Sequence, residues 1–227
     1  MTSDFVSTLD LSSNDFLLHT SRDHISGGDF FFNQLLHSTV KKGEQVLVIV
    51  AANSWQHYRN IAAKLAINVT QLVDRQQIRI IDLLAKDEEF NFKTFVDQLD
   101  QQLSLLSAKS VVLIDDLSHF FVLGVDFLSI YKLVHKLRVD CHERDILLAI
   151  GSHYPTEEDD EEVNRFVVSL AYKCDIWCQT DKQSAGYSPL VSGCLRVYKR
   201  GENHNKEFNY KITDRSVKLM TIGSQLY

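Results

Sequence analysis

The chain has 227 residues, 44% of them hydrophobic, and its 24 Lys and Arg against 30 Asp and Glu leave a formal charge of −6. That length and apolar content suit one domain of ordinary to large size with a substantial core. The acidic balance recruits neither nucleic acid nor an anionic membrane through bulk charge, and no apolar run is long enough to span a bilayer.

The opening MTSDFVSTLDLSSNDF carries neither a basic stretch ahead of an apolar one nor an Arg-rich amphipathic pattern. It reads as the N-terminal tail, residues 1–14, of an intracellular protein. An apolar run, Phe16 to His19, then leads through TSRDHISGGDFFFNQLL (20–36) into a helix. Helical spacing of apolar residues recurs at Phe32, Leu35, Leu36 and Val40, at Trp55, Tyr58, Ile61, Ala62 and Leu65, and at Phe127, Ile130, Val134 and Leu137. Between these helices lie QVLVIVAA (45–52), IRIIDLL (78–84), SVVLIDDL (110–117) and DILLAIG (145–151), short and almost wholly apolar. Such runs are strands buried on both faces, and their alternation with helices predicts a parallel sheet with right-handed crossovers.

The second half changes character. After a helix around Val163 to Tyr172 come DIWCQT, SPLVSGCLRVYKR and FNYKITDRSVKLMTI, β-rich segments separated by Gly193, Gly201 and an Asp214-Arg215 turn. These predict an antiparallel extension on one sheet edge, within a β-rich region spanning residues 186–227. Six consecutive carboxylates, Glu157 to Glu162, follow Pro155 and read as an exposed loop entering a helix whose N-terminus tolerates acids. The segment Cys194 to Tyr227 is locally basic, with seven Lys and Arg against three acids.

Cys141, Cys174, Cys178 and Cys194 stand in apolar or strand-like surroundings and read as reduced thiols. Cys174 and Cys178 with Cys141-His142 make a poor zinc pattern, because no second tight pair accompanies the first. No metal site is therefore assigned. His57, His119, His135, His142 and His153 are scattered, without the spacing of a zinc-protease or nucleophile-elbow motif, and no catalytic residue is assigned either.

Residues 20–36 stand where a nucleotide-binding protein keeps its phosphate loop. A Walker A loop, G-x-x-x-x-G-K-[ST], needs glycines for converging amides, a Lys for phosphate charge and a hydroxyl for Mg²⁺. Laid over 22–29, that pattern meets Arg22 at the first Gly, Gly27 at the second, Gly28 at the Lys and Asp29 at the hydroxyl. A carboxylate at Asp29 repels phosphate at a helix N-terminus, and Ser26 with Asp29 fits a capping box instead. No cofactor is expected there. SVVLIDDL ends in Asp115 and Asp116 like a Walker B strand, whose acid would organise Mg²⁺ and water. Without the Lys and hydroxyl opposite, a polar strand end capping the following turn is the simpler reading.

SWQHYRNIAAKL (54–65), VVLIDDLSHFFVLG (111–124) and YKITDRSVKLM (210–220), in this order and spacing, resemble the Elongator complex protein 6 family. The resemblance covers most of the chain and rests on the ordered set. It implies an α/β, RecA-like fold: a mostly parallel sheet flanked by helices, with a C-terminal antiparallel β-hairpin extension, as one domain over 1–227. It further implies a non-catalytic subunit, two copies of each of three RecA-like subunits alternating in a hexameric ring. Such a ring binds tRNA and attaches to the larger catalytic part of Elongator, which modifies the wobble uridine; the setting is cytoplasmic and allows the nucleus.

In such rings the loops here represented by Ser118 to Gly124 and Ser152 to Glu162 tend to face the pore, yet the first is apolar and the second acidic. Neither makes an electrostatic track for RNA. Direct tRNA contacts, where the chain makes them, are expected at Arg165, Lys182, Arg196, Lys199 and Arg200. Phe120 and Phe121 are expected in the core rather than at a subunit contact. The competing class is an active NTPase whose degenerate loop uses Arg22 or Lys41-Lys42 in place of the missing Lys.

Overall fold

A computed structural model describes residues 5–21, 29–85, 90–153, 161–182, 190–213 and 216–221. Nine strands form one sheet in the order β3-β2-β4-β5-β1-β6-β7-β8-β9. In chain order they are β1 (Phe16–Ser21), β2 (Val46–Val50), β3 (Ile78–Asp82), β4 (Val111–Ile114), β5 (Leu147–His153), β6 (Ile176–Asp181), β7 (Gly193–Lys199), β8 (Lys206–Ile212) and β9 (Val217–Thr221). The pairings among β1 to β6 are all parallel, and those from β6 through β9 are antiparallel. The expected mostly parallel sheet with an antiparallel edge extension is thus the one observed.

The helices are α1 (Phe5–Leu9), α2 (Asp29–Lys41), α3 (Trp55–Lys64), α4 (Val69–Asp74), α5 (Phe92–Ser104), α6 (His119–Val122), α7 (Phe127–Glu143) and α8 (Glu161–Ala171). Strand alternation sends Leu47 and Ile49 of β2 to one face and Val46, Val48 and Val50 to the other, all buried. The first face packs on α5, α6, α7 and α8 through Phe95, Phe120, Leu137 and Phe166. The second packs on α2, α3 and α4 through Phe31, Leu35, Tyr58 and Val69. Right-handed crossovers require this split, because connections running toward β3 and those running toward β6 must leave on opposite faces.

Local sequence sets the helix starts. Ser54, Asn68, Asn91 and Asp126 accept the backbone N–H three residues on, at the starts of α3, α4, α5 and α7. Helices α1, α4, α5 and α6 were not among the sequence expectations, and α1 lies within the stretch read as a tail, its Val6 and Leu9 buried. Gly201, with φ at +85°, makes the β7–β8 turn as expected, whereas Gly193 opens β7 itself. The Asp214-Arg215 turn lies outside the described residues. No described helix is long and apolar enough to cross a membrane.

Candidate functional site

In an open α/β sheet, ligand crevices form at the carboxyl ends of neighbouring strands whose connections leave on opposite faces. Three neighbouring pairs, β2/β3, β2/β4 and β1/β5, meet that condition here, and the last two adjoin the strand ends singled out in the sequence. After β1 and β2 the chain enters α2 and α3 on one face; after β5 and β4 it enters helices on the other. The β1/β5 crevice lies at the end of β1, Ser21, and the β2/β4 crevice holds Asp115.

Asp115 directly follows β4, and its carboxylate is turned across the crevice toward the start of the β2–α3 connection. Oδ1 accepts the backbone N–H of Ala51 at 2.7 Å and of Asp116 at 2.7 Å. Oδ2 accepts Asn53 N–H at 3.1 Å and the Tyr58 hydroxyl at 3.2 Å, and Ala52 N–H lies 3.3 and 3.2 Å from the two oxygens. Five donors therefore converge on a group offering about four lone-pair sites. Successive amides of this kind form an anion nest, and here the anion is the chain's own side chain. Burial pushes the Asp115 carboxyl above the ordinary carboxylate value, against the pull of the Ala51, Asn53, Asp116 and Ala52 amides. The acid in the Walker B position thus caps its following turn, as the sequence reading expected, and also the turn after β2, which that reading missed.

Asp116 is engaged too. Its Oδ1 accepts Ser118 N–H at 2.9 Å, the Ser118 hydroxyl at 2.5 Å and His153 N–H at 3.3 Å, tying the end of β4 to the end of β5. Gly151 permits this approach: a Cβ there would stand 2.0 Å from the Asp115 carbonyl oxygen and 2.8 Å from the Phe32 ring.

At the end of β1 the polar groups are neutral and buried. His19, 3% exposed, stacks on Phe31 at 4.4 Å, and its Nε2 lies 3.1 Å from the Thr180 hydroxyl. Burial pushes the imidazole down to about 3, so at neutral pH it brings no charge to the crevice. Thr20 accepts the Trp177 indole N–H at 2.9 Å. The sequence reading passed over His19 because one His in an apolar strand carries no motif.

Arg22, Gly27 and Gly28 lie outside the described residues, and Asp29 is described only as the first residue of α2. Lys41, offered as a replacement for the Walker lysine, is the last residue of α2, roughly 18 Å along the axis from its start. Among the proposed RNA contacts, Arg165 pairs with Glu161 at 2.5 Å, and Arg196 bridges Asp181 at 2.6 Å and Glu207 at 2.7 Å. Lys199 pairs with Asp10 at 2.9 Å, and Arg200 donates to the carbonyls of Tyr172 and Cys174. Arg165 and Lys182 lie toward the carboxyl edge of the parallel strands, Arg196 pairs with Gln179 beside them, and Lys199 and Arg200 fall at the opposite edge. The five do not form one patch.

Phe120 is fully buried, and Phe121 packs edge-on against Phe166 at 5.3 Å. Glu161 and Glu162 occupy the first turn of α8, and the rest of the acidic run lies outside the described residues. Cys141 and Cys174 belong to the core on one face of the sheet and Cys178 to the core on the other, so the imagined zinc set is divided. Among the described residues no group of three His, Cys, Asp or Glu is placed to hold a metal.

No protein-family model matches the chain. It is 26% identical to a Xenopus laevis protein named Elongator complex protein 6, with 88% of each chain covered. Proteins of the same name from Danio rerio and Homo sapiens are each 22% identical, covering 92% and 88% of this chain. In structure it matches a KaiC-like protein from Pyrococcus horikoshii with a TM-score of 0.68 at 15% identity, over 91% of this chain and 89% of that one, a likeness of fold alone. Over most of its length, then, the chain resembles the Elongator complex protein 6 family in sequence and a KaiC-like, RecA-type protein in fold.

Proposed function

We propose that this chain is a non-catalytic RecA-like subunit of an Elongator-type complex, acting as one domain and assembling with two other RecA-like chains in a heterohexameric ring. In that ring it supports tRNA binding for wobble-uridine modification by the larger catalytic subassembly, in the cytoplasm and also the nucleus. The likeness to Elongator complex protein 6 relatives supports the complex, and the RecA-type fold supports the ring.

The observation that carries the non-catalytic reading is the Asp115 carboxylate, whose acceptor sites are taken up by amides and Tyr58, with neutral His19 beside the β1/β5 crevice. A Walker B acid has to offer its oxygens to a metal's water shell; here that requires breaking several buried hydrogen bonds. Any tRNA contact by Arg165, Lys182, Arg196, Lys199 or Arg200 is proposed only within the assembled ring, because on this chain the five do not form one patch. Titrating the isolated chain with ATP and Mg²⁺ in a calorimeter tests the reading. No saturable heat up to about 1 mM nucleotide, a free energy near −4 kcal/mol, is expected; Mg²⁺-dependent saturation at micromolar ATP overturns it in favour of a nucleotide-binding enzyme.

A further inference from the structure

The carboxyl ends of α2 and α3 and the start of α4 enclose an open groove of about 760 Å³ on the side of the molecule away from α5, α7 and α8. Its apolar floor is made by Val40, Leu65, Ile67 and Leu72, each partly exposed, and Lys41 and Lys64 stand exposed on its rim. A lysine in the last turn of a helix is an ordinary counter to the helix dipole, so the two cations alone would mean little. Their setting adds to this. No carboxylate lines the groove, and neither lysine has an acidic partner among the described residues. Residues 30–72 carry Lys41, Lys42, Arg59 and Lys64 against Glu44, in a chain whose net charge is −6.

We infer that this groove docks an acidic amphipathic peptide segment of a partner protein, with aliphatic side chains on the floor and carboxylates on Lys41 and Lys64. The volume falls in the range of small-ligand sites, enough for a few leucine-sized side chains. The chemistry favours peptide over nucleic acid, because no Phe, Tyr or Trp lines the groove to stack a base and two lysines with one imidazole, His37, make no extended track for a phosphate backbone. The inference does not depend on the ring reading.

The test uses the full chain and a fluorescein-labelled probe peptide, acetyl-EELLEDILEE-amide, followed by anisotropy. Saturable micromolar binding is expected, weakened about tenfold in the Lys41→Glu, Lys64→Glu double variant. The charge-matched Lys93→Glu, Lys132→Glu variant, altered at exposed positions on α5 and α7, is expected to bind like the parent. An Ile67→Ser variant, checked for native circular dichroism, is expected to lose binding through the floor alone, since it leaves the charge unchanged. Absence of saturation up to about 500 µM, or equal weakening in both double variants, overturns the proposal. So does displacement of the probe by oligouridylate at equal concentration, which marks a nucleic-acid site, or self-association of the chain that the probe disperses.

Discussion

At the scale of the residue, Asp115 closes one crevice from within. Asp115→Ala leaves four backbone N–H groups and the Tyr58 hydroxyl without their acceptor, a loss expected to cost about 3–5 kcal/mol of unfolding free energy by urea titration. Tyr58→Phe removes one donor and is expected to cost only about 1 kcal/mol. An Asp115→Ala variant as stable as the parent would show that the carboxylate is not structural. His19 gives a pH signature. Its unfolded value is near 6.5 and its folded value about 3, so between them the unfolded chain binds the additional proton. This contribution to stability is therefore flat above pH 6.5 and falls as the pH drops toward 3, by roughly 1.4 kcal/mol per unit. Between pH 6.5 and 5 the parent is expected to lose about 2 kcal/mol more than His19→Phe, read from urea midpoints; parallel losses would contradict the buried neutral imidazole. The sequence made Asp115 visible as a strand-end acid, but its partners Ala51 to Asn53 lie 62 to 64 positions away and become neighbours only when β2 pairs with β4.

At the scale of the element, two glycines set how closely strands approach. Alanine at Gly193 would place its Cβ 2.4 Å from the hydroxyl of the fully buried Tyr210, and alanine at Gly151 would meet the Asp115 carbonyl. Each substitution is expected to cost about 1–3 kcal/mol or more through overpacking, with Gly151→Ala also loosening the Asp115 network. Gly43→Ala, where nothing lies within 4 Å of the added Cβ, pays instead for its φ of +78°. Buried parallel strands were readable because β2 and β4 are apolar at every position. Helix α5 was not, although Phe92, Phe95, Val96, Leu99 and Leu103 hold the helical spacing; its other positions are polar, so its mean composition resembles a surface loop. The four residues of α6 are too few for any period to show.

At the scale of the whole molecule, the degenerate phosphate loop and strand-end acids were legible as sequence departures, whereas the engagement of the Asp115 carboxylate by the Ala51 to Asn53 amides and Tyr58 became legible only through tertiary contacts. Burial pushes the Cys141 and Cys174 thiols up to about 12 and holds Cys178 well above the ordinary thiol value; it raises Cys194 too, but Cys194 alone of the four is not fully buried. Of the four thiols, a disulfide reagent at pH 8 is thus expected to modify Cys194 first in the native chain and all four in denaturant; equally fast modification of all four without denaturant would contradict the two-faced core. The ring reading is tested most directly by co-expressing the chain with two other RecA-like Elongator subunits and measuring the mass of the purified species by light scattering. One species with the mass of two copies of each chain, stable at micromolar concentration, is predicted; three chains eluting separately at their own masses would contradict it.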